Sequence, residues 1–276
     1  MIKRREFFTR MGAALGAASL LSHSVKRAEA AVGMEPLTLG IASYSFRAFD
    51  LETCLEMTKR LDVRHICLKS FHLPLEASPE EIKKAAEKVR AAGIELYGGG
   101  VIYMNTEAEV RQAFEYCRAA GMQMMIGVPK HELLDMVEQL AVQHDLIVAI
   151  HNHGPGDLLY PTPQSIYDRI VNRNRRLGIC LDIGHAQRLG LDPTAQFRAY
   201  HDRIYDIHIK DVSAPAPEGT TVEIGRGVID IPKFLKTVAE MHYKGRLSLE
   251  YEKDEKDPLP GAAESIGYLR GVMATW

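Results

Sequence analysis

From residue 37 onward, short apolar runs alternate with stretches in which apolar positions recur every three or four residues. The runs predict strands over 37–44 (LTLGIASY), 65–69 (HICLK), 94–101 (IELYGGGV) and 124–128 (MMIGV). Four more follow, over 146–151 (LIVAIH), 177–182 (LGICLD), 204–210 (IYDIHIK) and 246–251 (RLSLEY). Each precedes a helical pattern. The clearest, 78–93, opens with Ser78 as cap and Pro79 in the first turn, completes a capping box with Glu81 and stops at Gly93. Residues 106–121 and 230–245 follow the same grammar, with Asp230 capping the latter. Eight strand–helix units predict an α/β fold, a (β/α)8 TIM barrel. A doubly wound open sheet is the alternative, but no GxGxxG follows the first strand. With no low-complexity linker, residues 31–276 read as one barrel domain.

Residues 1–30 differ in kind. Arg4-Arg5 and Phe7-Phe8 lead into a weakly apolar Gly/Ala/Leu stretch that ends at Ala28-Glu29-Ala30. A charged start, an apolar centre and an A-x-A cleavage site make a signal peptide, and the paired arginines mark the twin-arginine type. Lys26 and Arg27 fit that route, since charge there discourages the ordinary secretory pathway. The mature protein is then expected to begin near Ala31 and to be periplasmic or otherwise exported. The plainer alternative is an amphipathic surface helix.

Composition narrows the classes. A formal net charge of −2 over 276 residues is not the basic stripe that nucleic acid would call for. No run of about 18 apolar residues exists, so no membrane span is expected in the mature protein. Cys54, Cys67, Cys117 and Cys180 are scattered without CxxC spacing and read as buried thiols. The sequence leaves a homo-oligomer open.

In such a barrel the chemistry sits where the strands end. The fifth strand ends at His151, the sixth at Asp182, the seventh at His208 and the eighth at Glu250. Alone, such a histidine is more often a hydrogen-bonded rim residue and such an aspartate a helix cap. Four consecutive strands ending in ligand-type residues point instead to one divalent cation, and two imidazoles with two carboxylates suit Mn, Co, Zn or Fe(II).

The order of HNHG (151–154), LDIGH (181–185), HIKD (208–211) and LEYE (249–252) resembles the sugar phosphate isomerase/epimerase family, the xylose isomerase-like barrels. The resemblance covers the chain after residue 37. It implies one divalent metal held by Glu, Asp, His and Glu from strands five to eight, and three of these carry over to Asp182, His208 and Glu250. The family's first glutamate is His151 here. In the epimerases the two glutamates also transfer the protons, so this departure removes one of them. The resemblance makes His185 a substrate contact, with support of Asp182 as the alternative. His153 either contacts substrate or orients a loop. Lys210 and Lys69 are candidate catalytic cations, and His72 and Arg226 candidate substrate contacts, the last in a Gly-Arg-Gly loop of the kind that can hold phosphate. The loop 213–219 is a candidate lid, and 251–258 reads as a solvated charge run.

Three readings compete. The first is a metal-dependent sugar isomerase or epimerase acting by enolisation of a keto sugar, with Glu250 as base, or a lyase that eliminates or hydrates at a 3-keto-glycoside. The second is an inactive barrel that binds a carbohydrate. The third, a barrel endonuclease of the abasic-site type, needs more histidines and a basic face.

Overall fold

The computed structural model describes residues 37–276, so the expected signal segment 1–30 lies outside the described residues. The chain runs β1 (Thr38–Ala42), α1 (Leu51–Arg60), β2 (His65–Leu68), α2 (Pro79–Ala91), β3 (Glu95–Met104), α3 (Glu107–Ala120), β4 (Met124–Pro129) and α4 (Leu134–Gln143). It continues through β5 (Ile147–His151), α5 (Pro163–Ile170), β6 (Leu177–Asp182), α6 (Ile183–Arg188), α7 (Pro193–Tyr200) and β7 (Ile204–Ile209). The last elements are β8 (Asp211–Val212), β9 (Thr221–Val222), α8 (Ile231–Glu240), β10 (Arg246–Leu249) and α9 (Leu259–Met273). Eight parallel strands close into a barrel in the order β1-β10-β7-β6-β5-β4-β3-β2, as the alternating pattern predicts.

The helices begin where local chemistry dictates. Ser78 and Glu81 form the expected capping box over α2, and Thr106 caps α3, which stops at left-handed Gly121. The helix expected over 230–245 is shorter, because the chain turns at His242, whose φ is positive. Asp211–Val212 and Thr221–Val222 pair as a small antiparallel ribbon that the sequence pattern did not suggest, and the expected lid 213–219 is its connection. The four cysteines are buried free thiols. No helix among the described residues is long and apolar enough to cross a membrane.

Inward-facing positions fill the barrel in layers. Below the strand ends, the Tyr97 hydroxyl donates to Asp206 Oδ2 (3.1 Å) and bonds Ser248, which itself lies 3.4 Å from Asp206 Oδ1. Burial pushes the Asp206 carboxyl up to about 6. At the other end of the barrel, the buried Arg203 donates to four main-chain carbonyls of the turn before β6: Val171 (3.0 Å), Arg173 (2.9 Å), Asn174 (3.1 Å) and Leu177 (2.9 Å).

Arg203→Met should therefore lose about 3–5 kcal/mol, since several buried carbonyls lose a charged donor. Urea unfolding followed by circular dichroism measures this. A loss below about 1 kcal/mol would mean that water replaces the guanidinium.

Candidate active site

Four side chains converge at the C-terminal mouth of the barrel. His151 ends β5, Asp182 ends β6, His208 lies on β7, and Glu250 stands one residue past β10. All four are buried, and one donor atom from each lies within 4.8 Å of the others. His151 Nε2 faces His208 Nδ1 at 3.1 Å and Asp182 Oδ2 at 3.5 Å, and His208 Nδ1 faces Glu250 Oε2 at 3.2 Å. Neighbouring donors about 2.1 Å from one tetrahedral ion would stand about 3.4 Å apart. Asp182 Oδ2 makes ion-pair contacts to Lys210 and His151 but no well-aligned hydrogen bond, which leaves it turned to the cluster. The donor set therefore fits one divalent cation.

Charge supports this fit. The Lys210 ammonium lies 2.9 Å from Asp182 Oδ2 and 2.7 Å from Glu250 Oε2, and pairs with Glu252. Three carboxylates around one ammonium leave two negative charges, which a divalent cation would balance. Burial alone would raise the Asp182 and Glu250 carboxyls, but the neighbouring cationic groups hold both well below the usual carboxylate range. Burial would likewise lower Lys210, yet its carboxylates hold it well above the ordinary lysine value. Burial keeps His151, His153 and His185 below the usual imidazole value.

Local sequence explains how each group is placed. Asp182 does two jobs with two oxygens: Oδ1 caps α6 by accepting from His185 N (2.7 Å), and Oδ2 turns to the cluster. Gly184 in the same turn is required by Lys210, because a Cβ there would sit 2.3 Å from the Lys210 Cγ. The loop after β5 is tied down by Asn152, whose side chain accepts from Asp182 N (2.9 Å) and donates to Asp182 O (3.0 Å). Gly154 adopts φ 75° where the loop passes close to His185, and a Cβ there would meet His185 O at 2.8 Å.

The cluster opens onto a cavity of about 230 Å³ lined by Tyr44, Lys69, Val101, Tyr103, His151, His153, His185, Glu250 and Glu252. Lys69 Nζ donates to Val101 O (3.3 Å) and stands 5.5 Å from the centre of the Tyr44 ring, and burial lowers its pKa. A larger hollow of about 350 Å³ lies at the opposite end, among Tyr97, Ile147, Ile204 and Arg246. It holds none of the four clustered donors, and barrels of this kind place their chemistry at the strand ends.

Most expected site residues come together here, and three do not stand where expected. His72 is buried away from the cavity, with Nδ1 2.9 Å from Ser43 Oγ and Nε2 3.2 Å from Phe46 O, so it braces the turn after β1. Arg226 pairs with Glu264 of α9 at the surface, outside the residues that line the cavity. Lys210 lies beneath the cavity wall, locked between carboxylates. Sequence reasoning missed Glu252, Asn152 and Tyr103. The signal for Glu252 was its two-residue spacing from Glu250, masked by the charged stretch around it. Tyr251, in that same supposedly solvated run, is buried and bonds Glu223.

Comparison with known proteins agrees with the barrel fold. Residues 45–272 match the family described as xylose isomerase-like TIM barrel. The chain is 27% identical over 153 residues to the rhizopine catabolism protein MocC of Rhizobium meliloti, spanning 50% of this chain and 46% of that one. It is 29% identical over 143 residues to inosose dehydratase of Lacticaseibacillus casei, spanning 45% and 47%. The chain thus spans about half the length of the curated relatives it matches. A crystal structure of a D-tagatose 3-epimerase-like protein shares the fold, with TM-score 0.70 and 18% identity over 87% of this chain and 99% of that one.

Asn152→Asp should replace the donor to Asp182 O with a second acceptor and loosen the end of β6. Affinity for a divalent cation should fall about 10- to 100-fold, measured by calorimetric titration of metal-stripped protein. Unchanged affinity would show that the bridge does not set the geometry.

Proposed function

This chain belongs to the xylose isomerase-like TIM barrel family, and from that premise we propose that it is a metal-dependent enzyme that enolises a polyhydroxylated ketone, a keto sugar or cyclitol ketone, and then expels a hydroxyl group as water. The observation that supports this reading best is the position of Glu250. Of the two carboxylates in the four-donor cluster, Glu250 lines the cavity, whereas Asp182 is sealed beneath it.

His151, Asp182, His208 and Glu250 are assigned as the residues that hold the divalent cation. When bound, that cation supplies electrophilic polarisation of the substrate carbonyl and its neighbouring hydroxyl, which acidifies the hydrogen between them. Glu250 accepts that proton. His151 stands where the resemblance places the family's first glutamate, and an imidazole nitrogen engaged as a ligand has no lone pair for a second proton transfer. Lys69 faces the cavity from β2's end and is assigned to hold the negative oxygen that develops. His153 and His185 are assigned to the substrate hydroxyls. One carboxylate base without a second opposite it favours elimination over two-faced epimerisation. The matched inosose dehydratase supports a dehydration, and a cyclitol ketone carries a hydroxyl on the carbon where the elimination would occur. Isomerisation shares the same first step and is the second reading.

Location belongs to the proposal too. Residues 1–30 are read as a twin-arginine signal, so the substrate would be met outside the cytoplasm. Replacing both Arg4 and Arg5 by Lys should leave the full-length chain in the cytoplasm, as fractionation and immunoblotting would show. Unimpaired export of that variant would overturn this reading.

Incubation with an inosose in heavy water tests the reaction. The unmodified protein loaded with Mn or Co should exchange the carbon-bound hydrogen beside the ketone, read by proton NMR. Glu250→Gln should lower exchange by about 10²-fold or more, while His151→Glu should keep metal bound, read by elemental analysis. Full exchange by Glu250→Gln would place the base elsewhere.

A further inference from the structure

We propose that Tyr103 is a catalytic residue of this site, the acid that protonates the hydroxyl group as it leaves the substrate. The proposal rests on the elimination argued above and adds the group that such a reaction needs on the leaving side. Glu250 takes the proton from carbon, so another group must hand one to the departing oxygen.

Tyr103 lies near the end of β3 and lines the same cavity as Glu250. The strand order places β1 and β2 between β3 and β10, so the phenol and the carboxylate stand on separate walls. That separation matters, because the leaving oxygen stands one carbon beyond the hydrogen that Glu250 removes. Lys210 is not placed to reach it: its ammonium bonds Glu250 and is held among carboxylates. Lys69 already donates to Val101 O and is assigned to the developing carbonyl oxygen.

The phenol is aimed. Its hydroxyl lies 2.9 Å from His153 Nε2, and the two rings stack with centroids 5.6 Å apart and planes 27° from parallel. His153 is in turn held by its main chain, which donates to Tyr160 O (3.0 Å). Asp157 Oδ2 faces His153 Nδ1 at 3.7 Å, and Asp157 Oδ1 accepts from Leu159 N (2.8 Å) and Tyr160 N (2.6 Å). So the loop HNHGPGD holds His153 at the cavity's edge, and its Nε2 holds the Tyr103 hydroxyl there. The O–H turns freely about its C–O bond. Moving its proton from His153 Nε2 to a substrate oxygen exchanges one acceptor for another. Burial, with the charges of Asp157 and Glu250, raises the phenol above its ordinary value, which keeps it protonated and able to donate. Tyr103 is also 48% exposed, so solvent reaches it.

The step balances. The C–H bond beside the ketone breaks and its proton passes to Glu250. A carbon–carbon double bond forms as the neighbouring C–O bond breaks. The expelled oxygen takes the Tyr103 proton and departs as water. Solvent then returns a proton to the Tyr103 phenolate and removes the one on Glu250, so nothing is oxidised or reduced.

Tyr103→Phe removes the hydroxyl alone from a half-exposed ring. With an inosose in heavy water, hydrogen exchange and water loss are followed together by NMR, with bound metal measured on the same sample. Tyr103→Phe should keep its metal and exchange within about threefold of the unmodified protein, while elimination falls about 10²-fold or more. Elimination at the unmodified rate would overturn the proposal. So would an equal fall in exchange and elimination, which would make Tyr103 a binding residue. Absence of exchange in the unmodified protein would overturn the enolisation reading itself, and the acid with it.

Discussion

Asp182 and Glu250 bring two carboxylates to the end of the barrel, into a space from which water is largely excluded. Two like charges this deep are tolerated only if cations face them, because desolvation and mutual repulsion both penalise ionisation. Lys210 supplies one such cation, shared between both carboxylates and Glu252. Much of the surrounding architecture follows from this arrangement. Gly184 is small because the Lys210 stem passes over it. The layer below is polar, with Asp206, Tyr97 and Ser248 bonded to one another beneath His208. The remaining negative charge is what makes the four-donor cluster fit for a divalent ion.

The loop Ala149–Asp157 shows how one short segment can serve three purposes. His151 still belongs to β5 and points inward with the cluster. Asn152 is sealed and locks the end of β6 through its paired bonds to the Asp182 main chain. His153 emerges at the cavity, where Asp157 and Tyr103 bracket its two ring nitrogens. Alternation along an extended chain explains why adjacent residues take such different environments. A single inserted residue here would exchange the inward and outward sets and dismantle the cluster.

A histidine rather than a carboxylate at position 151 has an electrostatic consequence. A fourth carboxylate, added to Asp182, Glu250 and Glu252, would add a charge to a site already carrying an excess of two. A neutral imidazole provides a donor without that charge. The cavity is left with one carboxylate in the cluster facing substrate and a set of histidines along one wall. The proposed removal of a single proton, followed by departure of a neighbouring group, draws on this division.

The sequence by itself determined the barrel, because strand and helix periods, caps and stop signals are local properties of short segments. It determined the four-donor cluster for the same reason: His151, Asp182, His208 and Glu250 each stand at or beside the end of a strand, and in a parallel barrel all strand ends share one face. What only the tertiary structure decided were the destinations of long or loop-borne side chains. Lys210 reads as a cation at a strand end, yet three carboxylates from two other segments capture it. Arg226 reads as a phosphate contact, yet Glu264 of α9, 38 residues on, takes its guanidinium. His72 looked like a residue of the mouth, yet Ser43 and the Phe46 carbonyl close over it. Tyr103 carried no motif, and Glu252, though it ends LEYE, carried no role there; both gained their positions from partners distant in the chain. A side chain's partner depends on which segments the fold brings within reach, and that distance is not written in the spacing of residues along any one of them.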